Sequence, residues 1–212
     1  MKLNIISKLH HSTKRDYLSR MNDNKVECMK VARKFGKSFF DGERRFGYGG
    51  YKYDGRFKAV AEILAEVYNL DSNSDILDFG CGKGFLMYEL NKLLKLKNRC
   101  IGVDVSSYAA KHAYKDIGKD IVKRFPSKTF DLIISLGTLH NFTLPSLYNI
   151  FGMFDDYSYN QFVTVDSYRN EQELFNLQCW TLTAEQFLRP EEWEFIFSEF
   201  GYAGDYEYLF FT

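Results

Sequence analysis

The sequence predicts an α/β protein with a doubly wound, mostly parallel sheet. From residue 56 onward, short apolar segments rich in β-branched residues alternate with amphipathic helical segments. Strands that are apolar on both faces are typical of a parallel sheet covered by helices on both sides. The chain has 212 residues, enough for one ordinary domain, and only three prolines, so we expect no stiff linker between two domains.

The elements can be assigned in order along the chain. A charged helical segment covers residues 14–36, and the helix at 56–70 is indicated by Phe57, Val60 and Leu64 on one face. Ser106 or Ser107 is a predicted N-cap, and Pro190 suits a first helical turn. The remaining predicted helices cover 84–95, 106–114, 144–154 and 190–200, and the predicted strands cover 75–79, 100–105, 117–122, 130–136, 161–166 and 207–211.

Glycine and aromatic residues crowd the segment 39–55, which is a loop composition. We therefore expect an N-terminal helical and Gly/Tyr-rich segment over residues 1–55, followed by the sheet domain over 56–212 in one compact unit.

Charge and cysteine content exclude several classes of protein. The 28 basic and 28 acidic residues give a formal net charge of zero, so the general attraction used by nucleic-acid binders is absent. No apolar run resembles a secretory signal or reaches the ~18 residues of a membrane span. The four cysteines are too scattered for a Cys-x-x-Cys pair. These features predict a cytoplasmic protein with reduced thiols.

The loop after the first strand has the composition of a ligand site. Residues 78–84 read Asp-Phe-Gly-Cys-Gly-Lys-Gly and lead into a helix, whose free N–H groups can hold an anion. Asp104 closes the next strand, 20 residues beyond Gly84, where a carboxylate can accept hydrogen bonds from both ribose hydroxyls. Together these features predict a bound adenosine.

The glycine spacing discriminates between adenosine cofactors. The dinucleotide fingerprint G-x-G-x-x-G would need glycine where Phe85 stands. The observed G-x-G-x-G, with Asp78 two residues before its first glycine, resembles the first motif of the class I S-adenosylmethionine-dependent methyltransferases. The resemblance implies a Rossmann-like fold, S-adenosylmethionine as cofactor and S-adenosylhomocysteine as product. It also implies that the loop faces the methionine part and that Asp78 helps to orient the amino group.

Further motifs extend this resemblance over residues 75–141. Asp104-Val105 matches the ribose-binding end of the second strand, and Asp120-Ile121 stands where family members place an acid near the adenine amino group. Residues 130–140 match the fourth-strand motif and the loop beside the transfer site. The implied cofactor contacts are Asp78, Gly80, Cys81, Gly82, Asp104, Val105, Asp120, Ile121 and Leu136.

Methyl transfer requires alignment of the acceptor and exclusion of water, and a neutral hydroxyl acceptor also benefits from a general base. The carboxyl ends of the strands place His140, Asn141, Asp166 and Tyr168 near the transfer site. His140 is the preferred base because imidazole titrates near neutral pH. His140 could instead only position the acceptor, and Asp166 could cap its loop. No evident set of metal ligands converges there, so we expect a metal-free reaction.

Residues 44–56 are predicted to form a lid. Glycines can supply a hinge, tyrosines can close over a ligand, and arginines can pair with phosphate or carboxylate on the acceptor. In the alternative interpretation the tyrosines pack against the sheet edge and the arginines are solvated. The residues concerned are Arg44, Arg45, Tyr48, Tyr51, Tyr53 and Arg56.

Stretches outside the core suggest an acceptor. Residues 15–21, 41–56 and 179–183 are similar to small bacterial methyltransferases of surface-polysaccharide biosynthesis, and with the core this resemblance spans nearly the whole chain. It implies O-methylation of a sugar, a nucleotide-linked sugar or a phosphate-type modification, and hence a small, anionic acceptor. An NAD-dependent oxidoreductase and a non-catalytic partner subunit of the same fold are the alternatives. Base amino-methylation of nucleic acid is disfavoured, because residues 135–140 lack an Asn/Asp-Pro-Pro-aromatic motif.

The distribution of aromatic residues supports a separate acceptor region. Of the 37 aromatics, only seven lie in residues 71–141, whereas seven lie in 39–57 and twenty in 142–211. We therefore expect the two flanking regions to build the acceptor side of the pocket.

Overall fold

Six strands form one sheet in the order β3-β2-β1-β4-β5-β6, and every neighbouring pair is parallel. The computed structural model describes residues 1–212. The chain reverses its direction of winding between β1 and β4, and ligands of open parallel sheets bind at such a switch point. This architecture confirms the predicted doubly wound sheet. The strands are β1 (Ile76–Phe79), β2 (Cys100–Val103), β3 (Ile121–Val122), β4 (Leu132–Leu136), β5 (Gln161–Ser167) and β6 (Asp205–Phe210).

Ten helices surround the sheet, and none of them has the length and apolar character needed to cross a membrane. Short 3₁₀ turns occur at Arg44–Phe46, Lys115–Asp120 and Leu139–Asn141. The helices are α1 (Ser7–His11), α2 (Tyr17–Asn22), α3 (Lys25–Ala32), α4 (Lys37–Asp41), α5 (Lys58–Val67), α6 (Phe85–Leu94), α7 (Ser107–Lys111), α8 (Leu144–Tyr157), α9 (Glu171–Trp180) and α10 (Pro190–Glu199).

Two apolar clusters lie on opposite faces of the sheet. One packs α5 and α6 against the strands, and the other packs α8 and α10 against them. Because side chains alternate along a strand, Leu132 and Ile134 of β4 belong to the first cluster while Ile133 belongs to the second. Trp193 is fully buried in the second cluster. Most C-terminal aromatics therefore serve the core, and those of the cavity come mainly from the N-terminal half.

Several elements differ from the sequence prediction for local reasons. The predicted helix 14–36 divides into α2 and α3, because Asn24 adopts a left-handed conformation with φ of 38°. The predicted strand 117–122 is mainly a 3₁₀ turn and pairs only over β3. Helix α9 has no clear apolar stripe, since Glu173 and Asn176 are among its buried residues, and its pattern did not predict it.

A buried glutamate fastens the start of the chain to the sheet. Glu207 of β6 is only 2% exposed, and its carboxylate accepts hydrogen bonds from the backbone N–H groups of Ile5, Ile6 and Ser7 at 2.7, 2.8 and 2.6 Å. These groups open α1, where N–H groups lack helical partners and the helix dipole favours an anion. The N-terminal segment is thereby held along β6.

A second polar contact fastens the N-terminal segment to the glycine loop. The Nζ of Lys83 donates to both carboxylate oxygens of Asp41 at 2.7 and 2.6 Å, and to the carbonyl of Tyr51 at 3.0 Å. Tyr108 of α7 also donates to Asp41, at 2.8 Å. Burial would raise the pKa of Asp41, but the hydrogen bonds from Lys83 and Tyr108 outweigh it and lower the pKa. The Lys83 side chain is only 8% exposed, so its ammonium group needs the Asp41 carboxylate as a counter-ion to remain charged.

Removing Asp41 should therefore be costly. We expect Asp41→Ala to lower the free energy of unfolding by about 3 kcal/mol, because it leaves the Lys83 ammonium buried without its counter-ion. Combining it with Lys83→Met should recover part of that loss, since the buried charge is then also removed. Urea unfolding measures both effects. As a control, Asp54→Ala breaks the exposed Asp54–Arg56 pair and should cost at most about 1 kcal/mol. Equal losses for Asp41→Ala and Asp54→Ala would contradict the assignment.

Candidate functional site

One large cavity of about 690 Å³ opens beside the carboxyl ends of the strands. Its walls come from the glycine loop, the ends of β2, β4 and β5, the N-terminal segment and the end of α9. The charged and histidine residues that line it are His10, Arg15, Arg20, Arg44, Lys52, Arg56, Asp104, His140 and Asp166. A smaller cavity of about 70 Å³ adjoins the glycine loop and includes Asp78 and Leu136 in its wall.

The glycine loop requires glycine for steric reasons. A Cβ at Gly80 would lie 2.1 Å from Oγ1 of Thr138, and a Cβ at Gly84 would lie 2.4 Å from Cγ2 of Ile117. Both residues also have positive φ values, of 82° and 71°, which disfavour other side chains. The close packing places backbone N–H groups and the start of α6 directly at the cavity.

Asp104 stands at the end of β2 and holds the loop in place. Its Oδ2 accepts from the N–H of Gly82 and its Oδ1 from the N–H of Ser106, both at 2.8 Å. Burial raises the pKa of Asp104, although these two hydrogen bonds oppose the shift. A carboxylate has about four acceptor positions, so Asp104 can still receive hydroxyl donors from the cavity that it lines.

Asp78 lies at the end of β1 and is buried, with 4% exposure. Burial and then the neighbouring Asp104 carboxylate raise its pKa to about 7, with no hydrogen bond to offset them. A ligand that carries a positive charge would stabilise the ionised carboxylate. The glycine loop, Asp78 and Asp104 therefore fit a cofactor that combines a ribose with a cationic amino acid part.

His140 and Asp166 form a pair farther along the sheet. The Nε2 of His140 lies 3.4 Å from Oδ2 of Asp166, and each side chain is 8% exposed. The Nδ1 of His140 is buried and has no hydrogen-bond partner. Burial raises the pKa of Asp166, whereas the charges of His140 and Arg15 oppose that shift. The geometry leaves one imidazole nitrogen facing a carboxylate and the other free.

The tyrosines of the Gly/Tyr-rich segment divide into two groups. Tyr48 and Tyr51 contribute to both cavities, and Tyr51 stacks on Phe85 with ring centroids 4.6 Å apart. Tyr53 instead stacks on Tyr114 at 4.1 Å and donates a hydrogen bond to Glu89. The segment therefore covers the cavity through two of its three tyrosines.

The three arginines of the predicted lid also lie in different environments. Arg44 lines the cavity and donates to the carbonyls of Gly47 and Tyr48 at 3.0 and 2.8 Å. Arg45 lies outside it, paired with Asp23 at 2.8 Å. Arg56 lines the cavity but pairs with Asp54.

The structure brings most of the predicted site residues to these two cavities. Asp120 and Ile121 do not reach the cavities, because they lie at the turn into the edge strand β3. Tyr168 also lies outside them, and the guanidinium carbon of Arg189 lies 5.1 Å from the centroid of its ring. Of the predicted residues, Arg44, Tyr48, Tyr51, Arg56, Gly80, Gly82, Asp104, Val105, His140, Asn141 and Asp166 line the large cavity; Asp78, Cys81 and Leu136 line the small one; Arg45, Tyr53, Asp120, Ile121 and Tyr168 line neither.

Sequence reasoning missed several side chains of the large cavity, including three basic ones of the N-terminal segment and a tryptophan of α9. His10, Arg15, Arg20 and Trp180 line it, although the first three lie more than 50 residues before the glycine loop. Arg15, Arg20 and Trp180 fall within the stretches 15–21 and 179–183, whose resemblance to other methyltransferases was the available signal.

Comparisons with known proteins identify related sequences and structures. Residues 77–151 match the family described as methyltransferase domain. An uncharacterized methyltransferase of Schizosaccharomyces pombe, C70.08c, is 33% identical over 92 residues, which cover 39% of this chain and 34% of that protein. The match thus spans about a third of the length of this curated relative.

A solved structure extends the likeness to most of the fold. The plantazolicin methyltransferase BpumL, in complex with a monoazolic desmethylPZN analog and SAH, has a TM-score of 0.55 and 18% sequence identity. The likeness covers 84% of this chain and 77% of that one. A structure of the same enzyme with SAH alone has a TM-score of 0.52.

The family match falls on β1 through the start of α8, and so includes the glycine loop, Asp104 and His140. Residues 77–151 therefore match a methyltransferase domain, and the sheet around them has the fold of known methyltransferases.

Proposed function

We propose that the protein O-methylates a small carbohydrate-type acceptor of surface-polysaccharide biosynthesis, with S-adenosylmethionine as methyl donor and without a metal ion. One observation carries the proposal of an enzyme with a small acceptor: a single cavity is lined at one end by the glycine loop and Asp104, and elsewhere by His140 and Asp166. The carbohydrate acceptor is supported by the stretches 15–21, 41–56 and 179–183, which contribute Arg20, Arg44 and Trp180 respectively to that cavity.

The sheet order separates the two ends of the cavity. Neighbouring strands lie ~4.8 Å apart, so β2 and β5, three positions apart, are separated by roughly 14 Å. Asp104 follows β2 and Asp166 lies in β5. The cavity is thus long enough for an adenosine at one end and an acceptor at the other.

The protein's residues supply positioning and a proton acceptor. When bound, S-adenosylmethionine supplies an activated methyl group on a cationic sulfur. Asp166 faces Nε2 of His140 at 3.4 Å and orients the ring, while Nδ1, which is buried and has no hydrogen-bond partner, takes the acceptor's hydroxyl proton once the acceptor occupies the cavity. The Asp166 carboxylate then stabilises the imidazolium that forms. His140 is thereby the base and Asp166 its positioning residue.

The segment 1–55 acts as a lid in this proposal. Tyr48 and Tyr51 cover the cavity, and Lys83 joins the segment to the glycine loop. Closure over bound ligands excludes water from the transfer site.

Cofactor binding is the first test. Asp104→Ala should weaken binding of S-adenosylhomocysteine at least tenfold in calorimetry, because it removes both the predicted ribose acceptor and the hydrogen bond that holds Gly82. Asp116→Ala changes an exposed acid on the turn Lys115–Asp120 and is the matched control. Wild-type protein that binds NADH but not S-adenosylhomocysteine would overturn the proposal in favour of an oxidoreductase. Radiolabelled methyl transfer to a panel of free and nucleotide-linked sugars then tests the acceptor class.

Cofactor affinity should depend on pH through Asp78. With a pKa of about 7 the carboxyl changes its protonation near neutral pH, and the ammonium group of the ligand's amino acid part favours the ionised form. Affinity for S-adenosylhomocysteine should therefore rise up to about tenfold between pH 6 and pH 8, with proton release. The free energy of unfolding of the ligand-free protein has the opposite pH dependence. The contribution of the raised Asp78 pKa to stability is present at low pH and is lost as the pH rises from about 4 through 7.

Calorimetry in buffers of different ionisation enthalpy measures both the affinity and the proton release. Asp78→Asn should flatten the pH dependence. An unchanged pH dependence in this variant would assign the titration to another group.

The base is tested by turnover with the best acceptor of the panel. His140→Ala should lower kcat by about 10²–10⁴-fold while S-adenosylhomocysteine affinity stays near the wild-type value. Asp166→Asn should retain part of the activity and shift the pH profile of kcat, because the remaining imidazole loses its carboxylate partner. Near-normal kcat in His140→Ala would show that this residue does not take the proton.

A further inference from the structure

Three arginines converge on one tryptophan at the acceptor end of the cavity. The guanidinium carbons of Arg15, Arg20 and Arg44 lie 5.6, 4.7 and 4.8 Å from the ring centroid of Trp180. All four residues line the large cavity. They come from the chain before α2, from α2, from the turn Arg44–Phe46 and from the end of α9, so the tertiary fold alone brings them together.

These arginines are positioned by neutral groups. Arg15 donates to the carbonyls of His10 and Thr13 at 3.1 and 3.2 Å, and Arg20 donates through Nε to the carbonyl of Trp180 at 3.0 Å. Arg20 also reaches the carbonyl of Arg44. These contacts fix each guanidinium but do not neutralise it.

The cluster lacks carboxylate partners. None of its three guanidiniums forms an ion pair, whereas six other arginines of the chain do. Only two carboxylates line the cavity: Asp104 bonds to the glycine loop, and Asp166 faces His140 and attracts Arg15 without forming an ion pair with it. The Nε of Arg15 is buried and has no hydrogen-bond partner at all.

The pKa values of Arg20 and of the neighbouring His10 reflect the positive charge of the cluster. Burial, followed by repulsion from Arg44, lowers the pKa of Arg20 to about 10. Burial and the charge of Arg15 lower the pKa of His10 to about 3, so this imidazole is neutral and accepts a hydrogen bond from Arg15 at Nδ1. A cavity wall that carries this much positive charge gains stability from an anion.

Capping of α9 explains only part of the arrangement. Arg20 and Lys25 donate to the carbonyls of residues 179–181 at the C-terminus of α9. Cations are stabilised at this end of a helix by the helix dipole. Neither Arg15 nor Arg44 contacts those carbonyls, and their remaining donors stay available.

We propose that Arg15, Arg20 and Arg44 form an oxyanion-binding subsite that holds a carboxylate or phosphate group of the methyl acceptor, with Trp180 as an apolar floor. This inference rests on the proposed methyltransferase function and specifies its substrate class. It moves the anion contact from Arg45 and Arg56, which have carboxylate partners of their own, to two arginines far earlier in the chain.

The test uses inorganic phosphate and acetate as probes, titrated separately into protein saturated with S-adenosylhomocysteine at constant ionic strength. Wild-type protein should bind at least one of them. Arg44→Gln should weaken that binding at least tenfold, because it removes a fork of charged donors. Arg45→Gln is the matched control, since it alters the adjacent arginine on the same turn but outside the cavity, and should change the affinity less than twofold.

Binding of phosphate alone identifies a phosphorylated acceptor, and binding of acetate alone identifies an acidic sugar. Equal effects of Arg44→Gln and Arg45→Gln, or no binding of either anion to a protein that still binds S-adenosylhomocysteine, would overturn the subsite and leave the proposed function intact. If the wild-type protein does not bind S-adenosylhomocysteine at all, the proposed function itself is refuted.

One further outcome concerns the carboxylate of the cofactor itself. If Arg44→Gln weakens binding of S-adenosylhomocysteine but not of 5′-methylthioadenosine, which lacks that carboxylate, the cluster serves the cofactor and the inference is wrong. Arg20→Gln repeats each comparison and guards against a local folding defect in Arg44→Gln, with thermal unfolding as the check on both variants.

Discussion

The buried contact between Lys83 and Asp41 is the constraint on which the site depends. Lys83 belongs to the glycine loop, and an ammonium with 8% exposure needs a counter-ion and hydrogen-bond acceptors to remain charged there. Asp41 and the carbonyl of Tyr51 provide them from the N-terminal segment. The same carboxylate accepts a hydrogen bond from the hydroxyl of Tyr108 in α7. The glycine loop and the segment that covers the cavity are therefore joined by one interaction.

The two ends of the cavity have opposite electrostatic character, and the topology explains why. Asp78 lies in β1 and Asp104 follows the neighbouring strand β2, so their carboxylates lie close together and suit a ligand with a cationic group. The basic side chains come from the N-terminal segment, which runs along β6 at the other side of the sheet. Charge is thus separated along the cavity although the chain as a whole has a net charge of zero. A cofactor and an acceptor of opposite charge would each find the appropriate end.

The sequence predicted the parts of this arrangement that are encoded locally. Strands β1, β2, β4 and β5 are short apolar runs, and the glycine spacing with Asp104 depends on only two successive strands. Which arginines face the cavity could not be read in the same way, because Arg44 and Arg45 are adjacent and differ only in direction. Tyr53 was equally ambiguous, since its environment is set by Tyr114, about 60 residues away. The C-terminal aromatics could not be divided between core and pocket from the sequence, because core packing and pocket lining require the same residue types.

The arginine-lined end of the cavity is built partly from helices with little stability of their own. Helices α1 and α2 have five and six residues, well below the ~12–15 at which an isolated helix becomes even marginal in water. Their order depends on tertiary contacts such as Glu207 and on the packing of Arg15 and Arg20 around Trp180. Mutual repulsion among those guanidiniums opposes this order, and a bound anion would remove the repulsion. Any ligand that binds only the ordered segment stabilises it in proportion to its occupancy. In the proposed function, acceptor binding and ordering of the N-terminal segment are therefore thermodynamically linked through the arginine cluster.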